Sequence, residues 1–245
     1  METSLHRELK RLYAGRQAQF EVPVDGFRVD AVTRHPRGGT RLIEIQHGSL
    51  GAIRDKIRTL LAEYRVTVVK PIVASKLLVK RAAEGGEVCQ RRLSPKRGTL
   101  LDVFDELVHF TQVFPHPRLT LEVLLVDVEE WRYPGHGRRR RWRIDDYQVE
   151  DQRLVAIREK HRLRTAADLA ELVRCPLPSP FHTGHLAKSL QVRRWVAQRI
   201  AYCFVRMGAL GQVGKDGNAR LYEWVDRRRL CATGFASALA GWSLR

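Results

Sequence analysis

Cysteine is scarce in this 245-residue chain, with four residues at positions 89, 175, 203 and 231 and no CxxC pair among them. That spacing excludes a disulfide-stapled fold or a thiolate zinc knuckle, and reads as reduced thiols, buried or inert. Also missing is any uncharged run of about 18 apolar residues, which excludes a spanning helix. The N-terminus, METSLHRELKRLYAG, has no apolar stretch fit for a signal peptide. The expectation is a soluble intracellular protein, cytoplasmic and, in a bacterium, nucleoid-associated. Acidic residues are few relative to basic ones: 27 Asp+Glu against 44 Lys+Arg give a formal charge of +17 and a pI near 10.5. This balance excludes a disordered acidic protein and argues against an acidic or small apolar partner. It favours a polyanion, because basic side chains release condensed counterions on binding phosphate backbones. At 44% hydrophobic, the chain can still bury an ordinary core, in one or two domains.

Hydrophobic spacing predicts a helix over Thr3 to Ala14, with Leu5, Leu9 and Leu12 on one face, Thr3 or Ser4 as cap and Gly15 as stop. Two β-prone runs, Phe20 to Val24 and Phe27 to Thr33, flank Asp25-Gly26, a hairpin signal. A third strand, Thr40 to Gln46, follows the turn at Arg37-Gly38-Gly39. A helix capped by Ser49, with Ile53, Ile57, Leu60 and Leu61 on its apolar face, leads to a β-branched strand at Val66 to Val73. The order is α-β-β-β-α-β, a mixed α/β sheet rather than a string of βαβ units. Beyond it, Lys76 to Arg81 reads as a further strand, Arg91 to Gly98 (RRLSPKRG) as a basic loop, Leu100 to Phe110 as a helix and Leu119 to Val128 as a strand. Arg91, Arg92, Lys96 and Arg97 surround a turn-prone Ser94-Pro95 pair and are candidate phosphate contacts, the alternative being a solvated loop. Arg138, Arg139, Arg140 and Arg141, in RYPGHGRRRRW, pose the same choice. The expected division is a first domain over 1–150, a charged connector over 151–164, a second domain over 165–226 and a tail over 227–245.

The second domain opens with Thr165 as N-cap and Asp168 three residues on. CPLPSPF breaks that helix, Thr183 caps the next, and a longer basic helix runs from Arg193 to Met207 with Val196, Ile200, Phe204 and Met207 on one stripe. His182 and His185 read as surface residues, since no thiol or carboxylate completes a zinc set. A β-hairpin closes the module. This order, over LAKSLQVRRWVAQRIAYCFVRMGALGQVGKDGNARLYEW, resembles a winged helix-turn-helix, a small α+β domain. The resemblance implies that Arg193, Arg194 and Arg199 face DNA, with Lys215 and Arg220 at the wing; protein–protein contact is the other use of such a fold. GQVGK is not a phosphate loop, because Asp216 stands where a metal-binding hydroxyl belongs.

Asp30, in FRVDAV, and Glu44 with Gln46, in LIEIQ, are polar residues on runs that read as buried strands. Alternation places Glu44 and Gln46 on one face and Ile43 and Ile45 on the other. Two carboxylates meeting across neighbouring strands form a hard-oxygen site suited to Mg²⁺. With the helix-strand order, this pattern resembles the PD-(D/E)XK nuclease superfamily over Thr3 to Val73. The resemblance implies a restriction-endonuclease-like core that hydrolyses phosphodiesters. Asp30 and Glu44 would be ligands of Mg²⁺ or Mn²⁺, the Ile45 carbonyl a third, and Glu8 an added carboxylate from the first helix. Gln46 stands in place of the motif lysine and would position the water, but an amide supplies no positive charge. Lys56, or else Lys70, is the candidate to replace it, with Lys56 preferred. His47 orients a phosphate, caps the next helix or is merely exposed.

The expectation is a metal-dependent endonuclease acting on double-stranded or branched DNA, docked by the winged helix. A homodimer stays open, since double-strand cutting calls for two sites. The alternative is a non-catalytic DNA-binding regulator or a recombination or repair accessory protein on a degenerate nuclease fold.

Overall fold

A computed structural model describes residues 2–15, 17–35, 38–135 and 146–225. The Arg138–Arg141 run, Cys231 and the tail 227–245 lie outside the described residues. Thr3 caps α1 (Ser4–Ala14), its side chain accepting from the His6 N–H, while Leu5 and Leu9 are fully buried. The hairpin of β1 (Gln19–Val24) and β2 (Phe27–Arg34) turns at Asp25 and Gly26, with φ of 47° and 78°. Two positive φ values in succession fit the right-handed twist of the strands. β3 (Thr40–Ile45) follows, antiparallel to β2. A 3₁₀ turn at Leu50–Ile53, capped by Ser49, precedes α2 (Arg54–Leu60).

β4 (Arg65–Arg81) runs unbroken through both stretches read as separate strands. The basic loop needs correction as well, because β5 (Val88–Leu93) contains Arg91 and Arg92 and pairs Leu78 with Arg92. All six β5 residues are exposed, so no alternation in the sequence marks that strand. The helix expected over Leu100 to Phe110 is a 3₁₀ turn at Leu100–Asp102 and a short α3 (Val103–Leu107). β6 (Leu119–Pro134) is longer than predicted. The charged connector is instead β7 (Tyr147–Leu163), a 17-residue strand beside β6. Its charges fit a terminal strand, where they deter edge-to-edge association, and the same charges hide the strand from a reading by hydrophobic pattern.

The sheet order is β1-β2-β3-β4-β6-β7, with β5 on the far half of β4. The protein is mixed α/β, with this seven-stranded mixed sheet, a separate two-stranded C-terminal sheet and six α-helices among the described residues. These residues form two compact units that interleave along the chain. One comprises residues up to His47, Val68–Leu100 and Glu122–His161; the other comprises Gly48–Thr67, Leu101–Leu121 and the chain from Arg162. The first is centred on an apolar cluster of Leu5, Leu9, Ala31, Ile43, Ile45, Val69 and Val126.

The second unit holds α4 (Ala166–Leu172), α5 (Thr183–Leu190), α6 (Arg194–Arg206) and the hairpin of β8 (Leu210–Asp216) and β9 (Ala219–Trp224). Thr165 and Asp168 form the expected reciprocal cap of α4. α5 departs from expectation, because His182 rather than Thr183 is its cap. The His182 Nδ1 accepts from Gly184 N–H at 3.0 Å and His185 N–H at 3.2 Å, and the two imidazoles stack at 3.7 Å. Phe104 of α3 lies 5.5 Å from Phe204 of α6, and Phe204 meets Trp224 edge-on at 5.0 Å.

Candidate functional site

Ala31 pairs with Ile43 as the last pair of the β2–β3 ladder, and Asp30 and Glu44 are the next residue on each strand. Here the Asp30 carboxylate takes over as acceptor, its Oδ2 receiving the Ile45 N–H at 2.7 Å. Its Oδ1 is 3.2 Å from His6 Nε2 on α1. Burial pushes the Asp30 pKa up, but the His6 and Ile45 hydrogen bonds and the nearby charges of His6 and Lys10 outweigh it. The net shift is below the ordinary carboxylate range, so Asp30 is ionised at neutral pH.

Glu44 is 7% exposed. It alternates with Ile43 and Ile45, and Asp30 adjoins Ala31; those three apolar residues belong to one cluster. Both carboxylates therefore sit on the same side of the strand pair. Gln46 continues the edge of β3 towards β4, its N–H donating to Val69 O at 2.9 Å. Pro71, two residues on, has no N–H to return, so β3 is free to leave the sheet after Gln46. Between them lies Lys70, 3% exposed, whose Nζ donates to the His47 carbonyl at 3.0 Å.

His47 stacks on His6 at 5.6 Å, and its Nε2 is buried without a hydrogen-bond partner. Burial, reinforced by the charges of His6 and Lys70, pushes its pKa down to about 4 against a weaker pull from Asp30. The ring is neutral at physiological pH. Glu2, just ahead of α1, is spaced four residues from His6 and eight from Lys10, and its Oε1 reaches Lys10 Nζ at 2.5 Å and His6 Nε2 at 3.6 Å. Lys10 also meets Glu21, which bonds Arg28 at 2.7 Å. A cleft of about 590 Å³ is lined by Glu2, His6, Glu21, Arg28, His47 and Gln152.

The structure thus gathers Asp30, Glu44, Gln46 and Lys70 in one part of the first unit, and adds His6, His47 and Lys10. Sequence reading passed over His6 and Lys10, although the i,i+4 spacing of Glu2, His6 and Lys10 was there to be read. Glu8 is exposed on α1, and two residues along a helix from His6 places it on another side. Lys56 belongs to the second unit, on α2, whereas Lys70 shares the first unit with Asp30. Among the described residues no three His, Cys, Asp or Glu side chains are arranged to hold a metal ion.

The basic residues divide into two groups. Lys96 and Arg97 are exposed, with Arg97 donating to the Ser94 carbonyl. Arg194 and Arg220 line a cleft of about 330 Å³ with Gln198, Tyr202 and Asn218, in the second unit. Lys215 lies directly opposite Arg220 on the hairpin, both exposed. Arg193 is the backbone cap of α6. Arg199 differs: it is 2.6 Å from Asp105 and 4.5 Å above the Trp195 ring, so its charge is already matched.

Residues 3–164 match a family described as a domain of unknown function (DUF8091). The chain belongs to that family. An uncharacterized protein of Treponema pallidum (strain Nichols) is 29% identical over 223 residues, covering 91% of this chain and 85% of the relative. That likeness covers more of the chain than the family match does. No solved structure matches the chain. No helix among the described residues is long and apolar enough to cross a membrane.

Proposed function

We propose that this DUF8091 protein is a metal-dependent nuclease of the PD-(D/E)XK kind that hydrolyses DNA phosphodiester bonds. The observation that carries the reading is that ionised Asp30 and buried Glu44 are the residues next after the last pair of the β2–β3 ladder, with Lys70 following the Val69 whose carbonyl accepts the Gln46 N–H. The donor set fits a cation that keeps much of its own water: two hard carboxylates and the Ile45 carbonyl suit Mg²⁺ or Mn²⁺ and form no full protein cage. Asp30, Glu44 and that carbonyl would hold the ion, which when bound lowers the pKa of a water and offsets phosphate charge.

The rest is work for the chain's own side chains. His6 and the Ile45 N–H hold Asp30 in its charged form and fix its direction. Lys70 supplies the positive charge that Gln46 lacks, its ammonium anchored on the His47 carbonyl. Gln46 offers an amide that donates to a phosphate oxygen or orients water. The order α4, α5, α6 and β8–β9 supports a winged helix. Lys215 opposite Arg220 adds support, since facing like charges repel until a polyanion lies between them.

The test is cleavage of plasmid and branched DNA with Mg²⁺ or Mn²⁺ by the wild type, Asp30→Ala and Glu44→Ala. Both variants lose cleavage if the reading holds; equal nicking by all three removes the site. A second reading, DNA binding without cleavage, is favoured by one observation: both Asp30 oxygens already accept from N–H groups. Tight, salt-dependent binding by a wild type that never cleaves selects it.

A further inference from the structure

On the first unit, the ends of β4, β5, β6 and β7 enclose a further cleft of about 240 Å³ that shares no lining residue with the one beside His6. It is lined by Lys80, Arg81, Arg92, Arg132, Tyr133 and Tyr147, with one acid, Asp146. Consecutive strand residues normally point to opposite faces. Lys80 and Arg81 nevertheless both line this cleft, and the β4–β5 register shifts between them. Such a bulge re-aims side chains and recurs next to functional sites.

Two of the four cations are fixed in place. Arg81 lies 3.2 Å from Glu150 and 4.5 Å over the Trp131 ring. Arg132 pairs with Glu130 and stacks 3.8 Å over Tyr147. Lys80 and Arg92 make no ion pair among the described residues. Glu150 faces Arg81, and Glu130 is shared between Arg132 and Lys76; the lining itself carries four cations against one acid, so the cleft favours an anion. The tyrosines add flat apolar surface, and Tyr133 is steadied by its hydroxyl donating to Gln148 at 2.7 Å.

We propose that this cleft binds an unpaired nucleotide of a single-stranded nucleic acid, the backbone phosphate against Lys80 and Arg92 and the base against Tyr133 and Tyr147. Cation plus aromatic ring is the combination that holds single strands without reading sequence, because every base has a π-face and every linkage a phosphate. A base pair within a duplex cannot enter, since the space admits about one nucleotide and duplex bases are already stacked on both sides. The site needs no catalysis at Asp30 and goes beyond the nuclease reading.

The experiment is fluorescence anisotropy of the full chain with a labelled oligothymidylate and with a duplex of equal length, in EDTA so that cleavage plays no part. Lys80→Ala/Arg92→Ala should weaken single-strand binding by about tenfold or more and leave duplex binding within about twofold. Tyr147→Phe should bind like the wild type and Tyr147→Leu should not. Asp30→Asn should bind normally, so loss of the nuclease reading leaves this one standing. Equal loss for single strand and duplex, or no loss for either, overturns the proposal. So does inorganic phosphate competing as well as oligothymidylate at equal phosphate concentration, which marks a bare anion site. If the double variant does not fold, photocrosslinking of a 5-iododeoxyuridine oligonucleotide to the wild type decides. An adduct at Tyr133 or Tyr147 supports the site, and adducts confined elsewhere overturn it.

Discussion

Asp30 bridges two elements, its Oδ1 3.2 Å from His6 Nε2 on α1 and its Oδ2 2.7 Å from the Ile45 N–H on β3. One carboxylate thus serves as a strand acceptor and as the hydrogen-bond partner of a helix imidazole, which makes stability and chemistry separable by substitution. Asp30→Ala leaves a part-buried N–H unmatched and should cost about 1–3 kcal/mol in urea unfolding. Asp30→Asn keeps an acceptor for that N–H and should retain more of the stability, yet lose cleavage as completely. If Asp30→Asn cleaves like the wild type, the carboxylate is structural.

His47 gives a pH signature. Its folded pKa is about 4 against an ordinary value of 6.5, chiefly through burial. Between these values the unfolded chain binds a proton that the folded chain refuses, so stability falls as pH drops from about 6.5 to about 4, by at most about 3 kcal/mol. His47→Phe should flatten that limb of a stability–pH curve. Asp30, whose folded pKa is lowered, contributes a separate loss only at more acidic pH, around and below its ordinary value of 3.8. A His47→Phe profile that keeps the full slope between pH 6.5 and 4 would assign it to other groups.

Gly98 donates its N–H to Val73 O at 2.9 Å, and a Cβ at this position would lie 2.6 Å from that same oxygen. The obstacle is backbone and cannot swing aside. Gly98→Ala should therefore destabilise by about 1–3 kcal/mol, a drop visible as a lower Tm by calorimetry. An unchanged Tm would mean that β4 gives way at Val73.

The arginines of α6 should differ in DNA binding. Arg199 is half exposed and paired with Asp105, so Arg199→Ala should change stability by no more than about 1 kcal/mol and DNA affinity little. Arg194→Ala and Arg220→Ala should each weaken binding several-fold and lower the salt dependence by about one counterion. These values are read from titrations at several salt concentrations. A larger effect from Arg199 than from Arg194 would reverse the assignment of the exposed face.

Much of this molecule was legible in the order of its residues. Apolar spacing gave α1, the Asp25-Gly26 pair gave the first hairpin, and Thr165 with Asp168 marked the start of α4, because these features are written in adjacent residues. β5 and β7 were not legible. Their side chains are exposed or charged, and only the neighbouring β4 and β6 make them strands. His182 as the cap of α5 was equally hidden, since an imidazole acts as a cap only when its Nδ1 is turned onto the helix N-terminus.

Composition and local periodicity were enough for the charge, the helix–strand order through β4 and the placing of Asp30 and Glu44 on strands, whereas Gln46 lies one residue past β3. The folded chain alone sets Lys70 next to the Val69 whose carbonyl accepts from Gln46 and Lys56 in the other unit, brings His6 rather than Glu8 to Asp30, and gathers Arg81, Arg132 and Tyr147 around one cleft. Those are contacts between residues far apart in the chain, fixed by strand pairing and by the rotation of α1, and no local pattern encodes them.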